Sequence, residues 1–227
     1  MERNEARSRS SAKPRLLIVD NHALFCAGMV ELFGTCGAIG EVAAASGVEE
    51  AGPLAQRFGP DVVSIHPGLS DATPFEAAER IFSHCPTARL LFLDDSVREI
   101  HVRAALQVGA WGYWTKHASF DRIVTAVRRV AAGHKSFCPA VRRILVATPD
   151  GLRLDPCPRC PSLGGLTRRE IEVLLYLARG LTVRQCAERM QLAQSTVDNH
   201  KSRLMKKLGV HKGVELAVLA IREGLLD

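Results

Sequence analysis

No apolar run in this chain approaches the roughly 18 residues that a membrane-spanning helix requires, and no signal peptide precedes the first apolar segment at Leu16. A cytoplasmic protein without a membrane partner is therefore expected. Also missing are a glycine-rich loop of the kind that cradles phosphates and a nucleophile elbow, so neither catalysis nor a cofactor is expected. The cysteines number seven, an odd count that, in a cytoplasmic chain, argues against a disulfide framework.

At 227 residues with 47% hydrophobic content, the chain is long enough for two packed domains. Its net charge of +6 is unevenly placed, at +3 over residues 1–15, −1 over 16–165 and +4 over 166–227. The surplus sits where attraction to a polyanion would use it. Residues 1–15, polar, rich in Ser and Arg and without periodicity, are expected to be a disordered basic tail.

Residues 16–137 alternate short apolar runs with amphipathic stretches. Leu16–Val19, Val42–Ala45, Val62–Ile65, Leu90–Leu93 and Gly112–Trp114 are expected to be buried strands. Helices between them imply a five-stranded, doubly wound parallel α/β sheet of flavodoxin-like type. In such folds the functional crevice lies beyond the carboxyl ends of the strands. Those ends carry Asp20, Asn21, His66, Asp94, Asp95 and Lys116.

Residues 138–165 read as a linker, with a short helix from Cys138-Pro139 to Leu145 and then a Pro- and Cys-rich loop containing the turn signal Thr148-Pro149-Asp150-Gly151. Cys157-x-x-Cys160 has the spacing for two ligands of one zinc ion, but no second pair lies nearby. Completing four ligands needs His134 and Cys138, or the same pair from a second copy; the other reading is an ordinary linker turn. Cys85, Cys138, Cys157 and Cys160 each precede proline, a dipeptide discounted as a haem signal because two of the four fall where loop and helix starts favour proline. Cys26, Cys36 and Cys186 read as small core residues.

Residues 166–227 predict a bundle of four helices. Ile171, Leu174, Leu175 and Ala178 form one apolar stripe, and Val183, Cys186, Ala187 and Met190 a second behind the N-cap candidate Thr182. After a short turn, Ser195 or Thr196 is expected to cap a third helix that buries Val197, Leu204 and Leu208. Gly209 ends it, and a last apolar helix runs from about Gly213 to Arg222. Two short helices about a tight turn, the second with a polar and basic outer face, are the pattern of a helix-turn-helix whose second helix enters the major groove.

The spacing resembles the LuxR-type helix-turn-helix of the NarL/FixJ class of response regulators. Leu166-Thr167-Arg168-Arg169-Glu170, Ala178-Arg179-Gly180-Leu181-Thr182, Ser195-Thr196-Val197-Asp198-Asn199-His200 and Lys206-Lys207-Leu208-Gly209-Val210 carry the likeness. It implies that Asp198, Asn199 and Ser202 face bases, while Thr182, Thr196, Lys201, Arg203 and Lys206 contact phosphates, with Ser195 at the start of the same helix. Where many members carry lysine, this chain has Asp198, which cannot bind phosphate but can accept a hydrogen bond from a cytosine amino group.

The preceding domain resembles the receiver of response regulators, on Val19-Asp20-Asn21-His22-Ala23-Leu24-Phe25, Pro60-Asp61-Val62-Val63, Ala105-Leu106-Gln107-Val108-Gly109-Ala110 and Gly112-Tyr113-Trp114-Thr115-Lys116. A working receiver of that family has an aspartate after the third strand to take a phosphoryl group. It also has two acidic residues by the first strand to hold magnesium, a Ser or Thr after the fourth strand, and a lysine. Here the acceptor position is His66, the second acidic position Asn21 and the hydroxyl position Asp94; Asp20, Lys116 and the aromatic switch candidate Tyr113 remain. Ser70 stands where proline is usual and Pro74 where glycine is usual. A receiver not switched by phosphorylation is expected, since imidazole is a different nucleophile and Asp94 repels an incoming phosphoryl group.

If His66 lies near Asp20 and Asp94, those carboxylates are expected to favour the imidazolium and raise its pKa. Three uses of His66 are open: a network that freezes one conformation, a pH-responsive or ligand-binding pocket, and a metal held with Asp20 and Asp94 against competition from Lys116. Ile100, Val102, Ala105, Leu106, Trp111 and the helix from Phe120 to Ala132 lie on the face that commonly pairs chains in this class; most read as core, and Trp111 is the candidate for exposure. The expectation is a homodimeric transcription regulator binding double-stranded DNA, with an unknown regulatory ligand or protein left open. Its rivals are a signalling adaptor that does not bind DNA, a receiver or linker sensing pH, ligand, metal or redox state, and a receiver phosphorylated at His66 or Asp94.

Overall fold

The computed structural model describes residues 13–148, 151–154 and 165–222. They fall into two compact units, one formed by the chain up to Val97 with Val108–Arg142, the other by Arg98–Gln107 with the chain from Arg143 onward.

The first unit has strands β1 (Leu16–Val19), β2 (Val42–Ala45), β3 (Val62–Ile65), β4 (Arg89–Asp94), β5 (Gly112–Thr115) and β6 (Ser136–Phe137). Its helices are α1 (Ala23–Thr35), α2 (Val48–Phe58), α3 (Pro74–His84), α5 (Phe120–Ala131) and the single turn α6 (Pro139–Arg142); α4 (Glu99–Gln107) belongs to the second unit. The strands pair in parallel in the order β2-β1-β3-β4-β5-β6. Every residue of β1 and β3 is buried, which explains why these runs are continuously apolar rather than alternating. Leu16, Ile18, Leu91 and Leu93 of the sheet pack with Phe33 of α1 and with Ile123 and Val127 of α5. Helix α3 starts at a capping box in which Thr73 and Glu76 each accept the other's backbone N–H, with Pro74 at the first helical position.

The sheet has six strands, not the five expected. β6 pairs Ser136 with Gly112 and Phe137 with Tyr113, and two residues are too few to show a period. Gly112 has to be glycine, since a Cβ there would stand 2.4 Å from the Ser136 carbonyl oxygen. The short helix after Cys138 also stops early, at Arg142.

In the second unit, the stretch expected as linker contains an antiparallel hairpin of β7 (Leu145–Thr148) and β8 (Gly151–Leu154). Residues 155–164, with Cys157 and Cys160, lie outside the described residues, as do residues 1–12 of the basic tail. Helix α4 packs on β8 and on α7 (Arg168–Ala178); Ile100, Val102 and Ala105 are buried, as expected for core, and Leu106 half-buried. Trp111, in the first unit, is also only half-buried, its ring covered by the cations of Arg89 and Lys135 at 5.1 and 4.7 Å.

Helix α7 is followed by α8 (Val183–Met190), α9 (Gln194–Leu208) and α10 (Gly213–Arg222). Residues Glu170 to Tyr176 of α7 are buried without a break, and α8, α9 and α10 all pack on this helix. Thr167 and Thr182 cap α7 and α8 through boxes with Glu170 and Gln185.

Candidate nucleic-acid interface and strand-end pocket

The parallel register sets Val19 beside Ile65, Ile65 beside Phe92, and Asp94 beside Thr115, so the residues just beyond the strands meet at one rim. Asp20, 2% exposed, accepts the backbone N–H of His22 at 2.9 Å and meets His22 Nδ1 at 2.7 Å, which shapes the turn into α1. Its other oxygen lies 2.9 Å from Lys116 Nζ. The same ammonium is 3.1 Å from Asp95 Oδ1 and 4.8 Å over the Phe25 ring. Burial pushes the Asp20 carboxyl up, but hydrogen bonds from Lys116 and His22 outweigh it and hold it below the ordinary aspartate value.

His66 follows β3 and is 5% exposed. Its Nδ1–H donates to the Leu93 carbonyl at 3.3 Å, because a carbonyl only accepts. Its Nε2 stands 3.7 Å from Asp95 Oδ2, beyond hydrogen-bond reach, and the ring packs edge-on against His22. The expectation of a raised pKa is corrected. Burial, then the Lys116 ammonium, lower it, and Asp20, Asp94 and Asp95 do not offset them.

Asp94 is fully buried. Its Oδ1 accepts the Asp95 N–H at 2.8 Å, its Oδ2 accepts the hydroxyl of the equally buried Tyr113, and its carbonyl accepts the Lys116 N–H at 2.7 Å. Asn21 is exposed. The grouping of His66 with Asp20 and Asp94 is also corrected: Asp20 is held by Lys116, and the donor atoms that gather within 4.8 Å of one another belong to His66, Asp94 and Asp95.

In the helical unit, α8 ends at Met190, and the φ of 54° at its C-cap Gln191 reverses the chain into the turn before α9. The N-cap of α9 is Ala193, without a side-chain cap bond, rather than Ser195 or Thr196, so both hydroxyls lie inside the first turn. Val197 and Leu204 face the core, while Leu208 is half-buried. Ser195, Asp198, Asn199, Ser202, Arg203 and Lys206 are all exposed, and their spacing of three and four residues lays them on one side of the helix. Thr196 and Lys201 are half-buried at its edges. Thr182 is exposed at the start of α8, its hydroxyl held by Gln185.

Adjacent lysines diverge. Lys207 Nζ lies 2.7 Å from Glu170 Oε2 and 2.9 Å from the Gly165 carbonyl, tying α9 to the start of α7. Burial raises the Glu170 carboxyl, but Lys207 and the Thr167 cap outweigh it, so it sits below the ordinary glutamate value. Lys201, Arg203 and Lys206 make no ion pair among the described residues.

Sequence reading missed His22 and gave Asp95 no role. The only signal for His22 was its place two residues after Asp20, and for Asp95 its place just past the end of β4, beside Asp94.

A model of bacterial regulatory proteins of the luxR family matches residues 165–220, and one of the response regulator receiver domain matches residues 16–128. Transcriptional activator protein ExaE of Pseudomonas putida is 34% identical over 93% of this chain and 97% of its own. The DNA-binding transcriptional activator DevR/DosR of Mycobacterium tuberculosis is 32% identical over 91% and 93%. Response regulator GacA of Pseudomonas aeruginosa is 27% identical over 94% and 98%. Among solved structures, RcsB of Salmonella enterica serovar Typhimurium, bound to the promoter rprA, superposes with a TM-score of 0.71 at 16% identity, covering 91% of this chain and 97% of that one, a likeness of fold.

Proposed function

The chain belongs to the LuxR-family response regulators and is a DNA-binding transcription regulator, and we propose that its receiver holds its output conformation without phosphorylation. The observation that carries this reading is the Lys116 ammonium, seated 2.9 Å from Asp20 and 3.1 Å from Asp95. The family places magnesium here, and the residues do not fit it. Magnesium demands an octahedral shell of oxygens, whereas His66 offers nitrogen, Asn21 lacks the charge, and the remaining carboxylate is already neutralised by Lys116. Tyr113, the aromatic switch candidate, is fully buried and donates its hydroxyl to Asp94.

The DNA-reading surface is the exposed side of α9. Asp198, Asn199 and Ser202 are placed to address base edges, and Thr182, Thr196, Lys201, Arg203 and Lys206 the flanking phosphates. Two copies, each presenting one α9, suit a two-fold operator.

The test is specific DNA binding by full-length protein over a salt series, with and without a small-molecule phosphodonor, beside intact-mass measurement. The expected result is salt-steep dimeric binding that the phosphodonor leaves unchanged, with no phosphoryl mass added. A phosphoryl adduct that strengthens binding overturns the proposal on the receiver. Absence of DNA binding at low salt leaves the adaptor reading instead.

A further inference from the structure

We propose that His66, Asp94 and Asp95 form a binding site for a borderline transition-metal dication, of which zinc is the model. The inference goes beyond phosphorylation-independence and does not require it.

Four observations carry it. First, the Nδ1–H of His66 is committed to the Leu93 carbonyl, the arrangement that orients a metal-ligating histidine and fixes its tautomer. The Nε2 lone pair is left facing the pocket on a side chain only 5% exposed. Second, that lone pair stands 3.7 Å from Asp95 Oδ2. The separation is beyond hydrogen-bond reach, so neither atom satisfies the other, and a cation shared between them would. Third, the space beside Nε2 is kept clear by Gly68, where a Cβ would stand 2.8 Å from Nε2. Fourth, Asp94 is preset by Tyr113 and the Asp95 N–H, while Lys116 holds Asp95 by Oδ1 and leaves Oδ2 turned towards His66.

One imidazole and two carboxylates are a set for zinc, cobalt or nickel rather than magnesium. Bonds of about 2.0–2.2 Å bring paired ligand atoms to within roughly 4.2 Å of one another, so the 4.8 Å spread must tighten. Asp95, whose side chain is 47% exposed, is the ligand able to swing inward. A metal needs the imidazole unprotonated, and burial and the Lys116 ammonium lower its pKa in that direction. Lys116 is the competing cation and limits affinity.

The experiment titrates full-length protein with Co(II), followed by visible absorption, and then displaces it with Zn(II). It is repeated on a Cys157→Ser/Cys160→Ser background so that thiolates cannot supply the signal. One equivalent is expected, with a nitrogen–oxygen spectrum lacking a thiolate charge-transfer band and unaltered by the two serines. Affinity is expected to fall at least tenfold in Asp95→Asn and binding to disappear in His66→Ala. Circular dichroism checks that both are folded, and the half-exposed Asp95 position decides the matter if His66→Ala is not. Binding unchanged in Asp95→Asn, binding lost in the serine background, or no saturable Co(II) binding at all overturns the proposal.

Discussion

The strand-end pocket and the outer side of α9 are built from the same kinds of residue and use them in opposite ways. In the pocket the charges answer one another: Lys116 holds Asp20 and Asp95, and Asp94 takes bonds from Tyr113 and the backbone. On α9, Arg203 and Lys206 are exposed and make no ion pair among the described residues. A charge matched inside a protein is spent on structure, because burial makes any unmatched partner costly. A charge left in water is available to a ligand and contributes little to folding. Lys206 and Lys207 show the two fates one residue apart.

The largest expected effect breaks the inner half of this comparison. Lys116→Met leaves Asp20, 2% exposed, without its cation, and removal of one partner of a buried pair costs about 3–5 kcal/mol. Urea unfolding of the receiver transition should record that loss. A loss under 1 kcal/mol would mean that the ammonium is not what neutralises the pocket.

Breaking the outer half moves binding instead. Asn199→Ala should weaken the specific operator complex by about 1–3 kcal/mol and leave non-specific DNA affinity unchanged, read from titrations on operator and scrambled duplexes. Equal losses on both would place Asn199 on the phosphates.

The two lysines sharpen the contrast within one helix turn. Lys207→Ala should cost stability on the order of 1–2 kcal/mol near neutral pH, a modest figure because its ammonium is partly exposed. Lys206→Ala should cost nothing in stability but reduce the salt slope of DNA binding by about one. The Glu170 carboxyl has a depressed folded pKa, so its contribution is complete above the ordinary value of about 4.3. That contribution is lost as pH falls through the lowered folded value, and the Lys207→Ala penalty should vanish there. A pH series of denaturation midpoints checks it.

The smallest change adds a charge. Asp198→Lys adds a cation to the exposed side of α9 and should steepen the salt slope by about one, raising non-specific affinity at the expense of operator preference.

The order of elements, the α/β class and the helix-turn-helix were legible because burial on both sheet faces makes apolar runs, and packing on one side makes helical stripes. Leu16–Val19 and Ile171–Ala178 show these two periods plainly. Ser136-Phe137 and the β7–β8 hairpin were not, since pairing across a sheet gives so short a segment no pattern of its own. Of the pocket, the sequence named Asp20, His66, Asp94, Asp95 and Lys116 by their places at strand ends and Tyr113 by the resemblance, and it missed His22 and the role of Asp95.

What the sequence determined by itself was which chemical groups stand at each strand end and along α9, because period and punctuation fix position along an element. What only tertiary structure decided was how those groups pair. The sheet register and the direction of each side chain bring Lys116 onto Asp20 and turn His66 towards Asp95. Burial then lowers a histidine pKa that the neighbouring carboxylates alone would have raised, since desolvation depends on everything packed around a group and not on its neighbours in the chain.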